Sequence, residues 1–320
     1  MRPALVLTTL ALSLVALPSA LADGVGDISM ILDLDPTVGE NPEGVAVDKK
    51  GNVFVSVAPT GELLKIDPKG DVSTHATFNP GFGFLLGMTV DAPGNVFVAL
   101  GSFDANTGVY KVTPGGEVSK VAAMGADTFP NDLAFDKKGN LYVTESIAGA
   151  VYRIAPGSGE AELWFQDELL FGDPEISPVP FPIGANGIAV DKHSIIVANS
   201  QVPRLVRIPI DKDGDPGDPE VIVEDPLLMG ADGIALDAHR DIYVACNAGN
   251  LLLKVHHCDG EIEVLADESD GLDFPATIAF GQGPAGKKNL YITNFALFSG
   301  PTGNPGILKA SVGVAGLAVP

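Results

Sequence analysis

FPNDLAFDKKGNLYVTE, residues 129–145, reads as a short apolar strand, a tight turn at Lys138-Gly139-Asn140 and a second strand rich in β-formers. The phrase recurs as NPEGVAVDKKGNVFVSV (41–57), LLGMTVDAPGNVFVAL (85–100), ANGIAVDKHSIIVAN (185–199), ADGIALDAHRDIYVAC (231–246) and PATIAFGQGPAGKKNLYITN (275–294). The residue closing the first strand is in turn Asp48, Asp91, Asp136, Asp191, Asp237 and Gly281, so the steps are 43, 45, 55, 46 and 44. Each unit continues with two more strands, such as Glu62–Ile66 and Val72–Thr77 in the first copy. A period in the forties with four strands per unit is the mark of a propeller blade, and no blade can bury its faces alone. The expected fold is all-β: a six-bladed β-propeller of four-stranded antiparallel blades, filling residues 23–320 as one domain. Residues 28–34 form a strand ahead of the first copy, and the sixth copy lacks a fourth strand. The N-terminal strand is expected to pair into the last blade and close the ring, which removes an exposed edge.

The 320 residues include 38 Gly and 25 Pro, which suits many short strands and turns. Residues 1–22 read as a secretory signal: Arg2, an apolar run broken by Pro18, and the small-residue site Ala20-Leu21-Ala22. The run is short for a membrane span. The expectation is an exported protein, extracellular or, in a bacterium, periplasmic. A formal charge of −22, from 41 acidic and 19 basic residues, argues against nucleic acid or an anionic membrane as partner. A closed propeller can stand as a monomer, and a monomer is expected. Cys246 and Cys258 lie at opposite ends of a strand, about 20 Å apart, too far for a bridge of about 5.5 Å between Cα atoms. Two free, mostly buried thiols are expected.

Two insertions interrupt the period, at 166–184 before blade 4 and at 295–305 inside blade 6. Both fall on loops of one propeller face, as do Phe82, Phe84, Phe103, Phe129 and Phe274. Loops held by a rigid scaffold carry function, and a mouth this rich in Phe suggests an apolar small-molecule ligand.

Five residues before each strand-closing position, the copies carry Glu43, Leu86, Asn131, Asn186, Asp232 and Ala276. This is the entrance of the innermost strand, so the six side chains converge on the channel axis. Four are oxygen donors of mixed charge, which suits a hard cation, Ca²⁺ before other divalent ions, with room left for water or substrate oxygens. Asn, Asp and Gly are also ordinary turn residues; the same register in four of six copies sets these apart. A second column, at the end of the second strand, carries Glu145, Asn199 and Asn294, which could contact substrate or solvent. Asp211–Asp218 resembles a calcium loop but has Pro216 and Ile222 where an EF-hand needs Gly and Glu, and reads as a hairpin turn. His256-His257 has no matching carboxylate in sequence view, and no Ser-nucleophile, Walker or dinucleotide motif occurs.

The phrases Pro42-Glu43-Gly44, Pro130-Asn131-Asp132, Asn186-Gly187 and Asp232-Gly233-Ile234 resemble the senescence marker protein/gluconolactonase/luciferin-regenerating-enzyme family over nearly all of residues 25–311. They are similar also to diisopropyl-fluorophosphatase and, more distantly, to paraoxonase and strictosidine synthase. The resemblance implies a divalent metal in the channel held by Glu43, Asn186 and Asp232. Asn131 matches an amide that is a ligand or a substrate contact, and so belongs with the catalytic set. Asp232 matches the proposed base or nucleophile. Sugar-lactonase members carry Arg where this chain has Phe129, which argues against a polar sugar acid and places Phe129 among the substrate contacts. The leading expectation is a metal-dependent hydrolase of an apolar lactone or related ester. The alternatives are a propeller cyclase or cycloaddition enzyme with a structural metal, and a non-catalytic binding propeller of the NHL type.

Overall fold

The computed structural model describes residues 25–317, and the leader read at 1–22 lies outside them. Six four-stranded antiparallel sheets form a propeller. The innermost strands are Pro42–Val47, Phe84–Val90, Pro130–Phe135, Ala185–Asp191, Ala231–Leu236 and Pro275–Phe280, and each packs on the next around a closed ring. Blade 6 takes its outermost strand from the chain start. Ser29–Asp33 pairs antiparallel with Gly306–Ser311, from Ser29 opposite Lys309 to Asp33 opposite Gly306, with a register shift between Met30 and Leu32. The sheet order shows the ring closing as its missing fourth strand requires. Among the described residues no helix is long and apolar enough to cross a membrane.

The core is six apolar wedges between neighbouring blades. One packs Leu205 and Ile196 of blade 4 on Ile234 and Val244 of blade 5; another packs Tyr291 and Ile307 of blade 6 on Val45 and Val55 of blade 1. The second strand of each blade is therefore buried along almost its whole length, as in Val53–Val57 and Ile242–Cys246. The Asp that closes the innermost strand builds the turn behind it. Asp136 Oδ1 accepts the backbone N–H groups of Lys138 and Asn140, and Asp136 Oδ2 accepts from the Asn140 side chain at 2.7 Å. Asp48 and Asp91 repeat this with Asn52 and Asn95.

All six innermost strands carry a bulge at the same place. Two residues, 43–44, 86–87, 131–132, 186–187, 232–233 and 276–277, oppose one residue of the second strand. A bulge re-aims side chains, and here it turns the first residue of each pair toward the axis. The second residue is Gly in four blades because the next inner strand sits against it. A Cβ on Gly44 would lie 2.6 Å from Leu86 O, and one on Gly233 2.6 Å from Thr277 Cα.

The opposite end of the channel holds a cavity of about 160 Å³, lined by the inner strands and Leu317. The C-terminal tail crosses there: Ala238 N–H donates to Ala315 O and Leu317 N–H to Leu236 O at 2.7 Å. The cysteines depart from expectation in one respect. Both thiols are free and Cys246 is buried, but Cys258 is exposed, because the third strand ends at Val255 and Cys258 lies in the turn beyond it. His256 and His257 also differ: they meet a carboxylate across the blade, Asp241, with His257 Nδ1 at 3.2 Å from Oδ1. The Asp211 run is a turn between two strands, its Oδ1 accepting from Asp213, Gly214 and Asp215 N–H.

Candidate active site

A cavity of about 540 Å³ opens at the bulged end of the channel. Its floor carries Glu43, Leu86, Asn131, Asn186 and Asp232, so four different blades bring the four oxygen donors to one place. All four are buried.

The hydrogen bonds fix how the amides face. Ser146 Oγ gives its only proton to Ala185 O in the next blade, at 2.7 Å. It can therefore only accept from Asn131, which must turn Nδ2 to it, at 3.1 Å. Ser200 does the same, donating to Ala231 O and accepting from Asn186 Nδ2 at 2.8 Å. Asn131 Oδ1 and Asn186 Oδ1 are left buried with no partner, and so is Glu43 Oε2. Each such group costs about 1–3 kcal/mol if nothing meets it. Asp232 Oδ2 accepts from Asn247 Nδ2 at 3.1 Å.

Electrostatics add to this. Among the described residues no Lys or Arg lines the cavity. Burial pushes Glu43 well above its ordinary value, and the charges of Asp232 and Asp132 push it further. Burial likewise lifts Asp232 to about 7, against the Asn247 hydrogen bond and with the Asp132 charge adding to the rise. Asp132 stands at the second bulge position, where four of the other blades have Gly and the last has Thr277. It is buried and pushed up to about 7, although Leu133 and Ile188 N–H both donate to it. Orphaned oxygens beside mutually repelling carboxylates fit a divalent cation, and half of the donors being amides fits a hard one. Among the described residues no group of three His, Cys, Asp or Glu side chains has metal-binding geometry, because this donor set is part amide.

The walls are aromatic. Phe298, Phe274, Phe295, Phe84, Phe129 and Phe181 touch in sequence around the cavity, with ring centroids 4.9–6.4 Å apart. Phe103 stacks on Phe129 from behind, and Phe82 is fully exposed. Both insertions contribute: Ile176, Pro178, Val179 and Phe181 from the first, Phe295, Leu297 and Phe298 from the second.

Of the anticipated substrate contacts, the structure brings Phe129 to the cavity but not Glu145, Asn199 or Asn294. Those three brace loops instead. Glu145 accepts from Phe129, Ile147 and Ala148 N–H; Asn199 donates to Leu169 O and Phe171 O; Asn294 donates to Gly271 O and Asn304 O. Successive side chains alternate across a strand, so the residues that reach the site are one position later: Ser146, Ser200 and Asn247. The bond pattern of that neighbouring column, two hydroxyls and an amide beside two amides and a carboxylate, was the available signal.

No family model matches the chain. Lactonase drp35 of Staphylococcus aureus (strain MW2) is 26% identical over 63% of this chain and 62% of the relative, so the chain spans less than two thirds of the curated relatives it matches. A gluconolactonase from Xanthomonas campestris superposes with a TM-score of 0.68 at 17% identity, covering 92% of each chain. A calcium-binding regucalcin from Agrobacterium tumefaciens superposes equally, TM-score 0.68 at 19% identity, covering 92% of this chain and 97% of that one. The gluconolactonase and regucalcin neighbours bear names of the group of propellers that the repeat phrases resemble, and a virginiamycin B lyase from Staphylococcus aureus shares the fold at a TM-score of 0.59 and 17% identity, covering 84% of this chain and 82% of that one.

Proposed function

We propose that this propeller is a metal-dependent hydrolase of apolar lactones or closely related esters. The observation that carries it is the channel floor: three orphaned oxygens and a cluster of destabilised carboxylates, with no basic side chain among the described residues, beneath an aromatic wall. Glu43, Asn131, Asn186 and Asp232 would hold the cation, Ca²⁺ before other divalent ions. A cation there supplies Lewis acidity toward a carbonyl oxygen. The chain's own residues do the rest. Ser146 and Ser200 hold the two amides oxygen-inward. Asn247 fixes one oxygen of Asp232, leaving the other to accept a proton from water or to attack the acyl carbon. The Phe arc binds the apolar part of the substrate and keeps bulk water away.

The lactonase and gluconolactonase names of the relatives support the reaction class, and the calcium bound by regucalcin supports the metal. The aromatic wall, with Phe129 where sugar lactonases carry Arg, supports an alkyl or aryl lactone over a sugar lactone. The same wall favours one other reading, an enzyme that folds an apolar intermediate for cyclisation over a structural metal.

The test is hydrolysis of γ-nonalactone and glucono-δ-lactone by wild type and Asp232→Asn, each with Ca²⁺ or chelator. Wild type should prefer the alkyl lactone and lose activity with chelator; Asp232→Asn should lose about 10²-fold or more in kcat. Hydrolysis indifferent to both changes rejects the mechanism, and no hydrolysis of any lactone turns attention to cyclisation.

A further inference from the structure

We infer that Gln201 is the hydrogen-bond donor that recognises the ring oxygen of the lactone, an assignment that rests on the lactone reading above. Gln201 lines the cavity just beyond the second strand of blade 4 and is 7% exposed. Its Oε1 accepts from Ile183 N–H at 2.9 Å. A backbone N–H can only donate, so the orientation of the amide is fixed, and Nε2 is the atom left buried without a partner.

That nitrogen is unusual within the cavity. The other lining side chains with N–H or O–H groups are Asn131, Asn186, Ser200 and Asn247, and each already donates to a protein atom. Every polar atom left over on the floor is an acceptor. Gln201 is also no part of the repeat: its counterparts in the other blades are Pro59, Ser102, Ile147, Ala248 and Ala296. The scaffold does not need a Gln here, and its brace to Ile183 uses only half of the amide.

An ester group brings two oxygens. The carbonyl oxygen belongs at the floor, where a cation held by Glu43, Asn131, Asn186 and Asp232 would supply positive charge. The ring oxygen then needs an N–H, and among the described residues Gln201 carries the one amide nitrogen lining the cavity with neither hydrogen engaged. Opening the ring forms a bond from a water oxygen to the acyl carbon and breaks the bond from that carbon to the ring oxygen. The electron pair leaves on the ring oxygen, which takes one of the water's hydrogens and becomes the alcohol of a hydroxy acid. Gln201 transfers no proton. Its N–H stabilises the charge growing on the departing oxygen, and it selects a substrate with an acceptor oxygen at the foot of an apolar chain.

The experiment uses Ca²⁺-loaded protein and two Gln201 variants. Gln201→Leu removes both halves of the amide; Gln201→Glu keeps an oxygen for Ile183 N–H and removes the donor. Calorimetry measures binding of 2-pentyltetrahydrofuran and of 2-pentyltetrahydrothiophene, whose ring sulfur is a poor acceptor. Melting temperature and Ca²⁺ affinity are followed alongside, with kcat on γ-nonalactone. Both variants should bind the cyclic ether about three- to tenfold more weakly and the thioether as wild type does. Both should lose about 10- to 100-fold in kcat, with Ca²⁺ affinity unchanged. Wild-type behaviour of Gln201→Glu beside a damaged Gln201→Leu would reduce the residue to a loop brace and overturn the inference, as would equal losses for ether and thioether. A wild type that opens no lactone but binds the ether in a Gln201-dependent way would remove the lactonase reading and leave the donor assignment standing.

Discussion

The residues of the channel floor are held in a costly arrangement, and its cost has a pH dependence. Asp132 and Asp232 are raised to about 7, and Glu43 is raised as well, burial being the first cause in each. An acid whose value rises on folding binds its proton more tightly in the folded chain. Metal-free stability therefore falls as pH climbs from the ordinary carboxylate range near about 4 to about 7, and the deficit persists above that. A divalent cation replaces those protons and removes the deficit. The gain in melting temperature on adding Ca²⁺ should accordingly grow from about pH 5 to about pH 8 in a calorimetric scan; a gain that shrinks over that range would contradict the site. The amide-orienting hydroxyls can be tested separately. Ser146→Ala and Ser200→Ala each free an amide to turn, so each should weaken Ca²⁺ about 10- to 100-fold by titration. Unchanged affinity in both would mean that the amide oxygens do not bind the ion.

At the scale of the strand, the bulge repeated in all six blades is what makes a site out of a repeat. It tips one side chain per blade to the axis, and in the four blades with Gly at the second position the adjacent strand leaves no room for a side chain. Gly44→Ala or Gly233→Ala would drive a methyl into Leu86 O or the Thr277 backbone. Each should cost about 1–3 kcal/mol of stability in denaturant unfolding, by overpacking; a neutral substitution would show that the strands separate freely. Hydroxyls on the second strands tie the bulges together across blades: Thr144 Oγ1 donates to Asn186 O at 2.6 Å and Thr293 Oγ1 to Glu43 O at 2.8 Å. The Asn131, Asp232 and Glu43 register was legible because it recurs at a fixed distance from a strand-closing Asp. Ser146, Ser200 and Asn247 were harder to see: which of two adjacent strand-end residues faces the axis depends on pairing across the bulge, and sequence spacing does not carry that.

For the molecule as a whole, the ring is closed by a strand from the far end of the chain. Removing residues 25–34 would strip Gly306–Ser311 of its outer partner and leave the last blade with three strands, its newly unpaired edge open. The shortened protein should melt at lower temperature and self-associate in sedimentation; an unchanged melting temperature and a monodisperse monomer would show that closure is dispensable. The two ends of the channel are finished differently. One is crossed by the C-terminal tail with Leu317, and the other carries the two insertions and the Phe-lined mouth.

The sequence alone determined the six blades, the closing strand and the four converging oxygen donors, because strand periodicity and a spacing of about forty residues survive in one dimension. It also pointed to Phe129 and the two insertions as one apolar mouth. Tertiary structure alone decided the rest. Glu145, Asn199 and Asn294 turn away to brace loops, Cys258 meets solvent, and Asp132 joins the buried carboxylates. Gln201 stands out only as the amide whose nitrogen nothing satisfies. Each of these depends on which atoms of distant blades approach one another, and a hydrogen bond that is missing is visible only when every neighbour is in place.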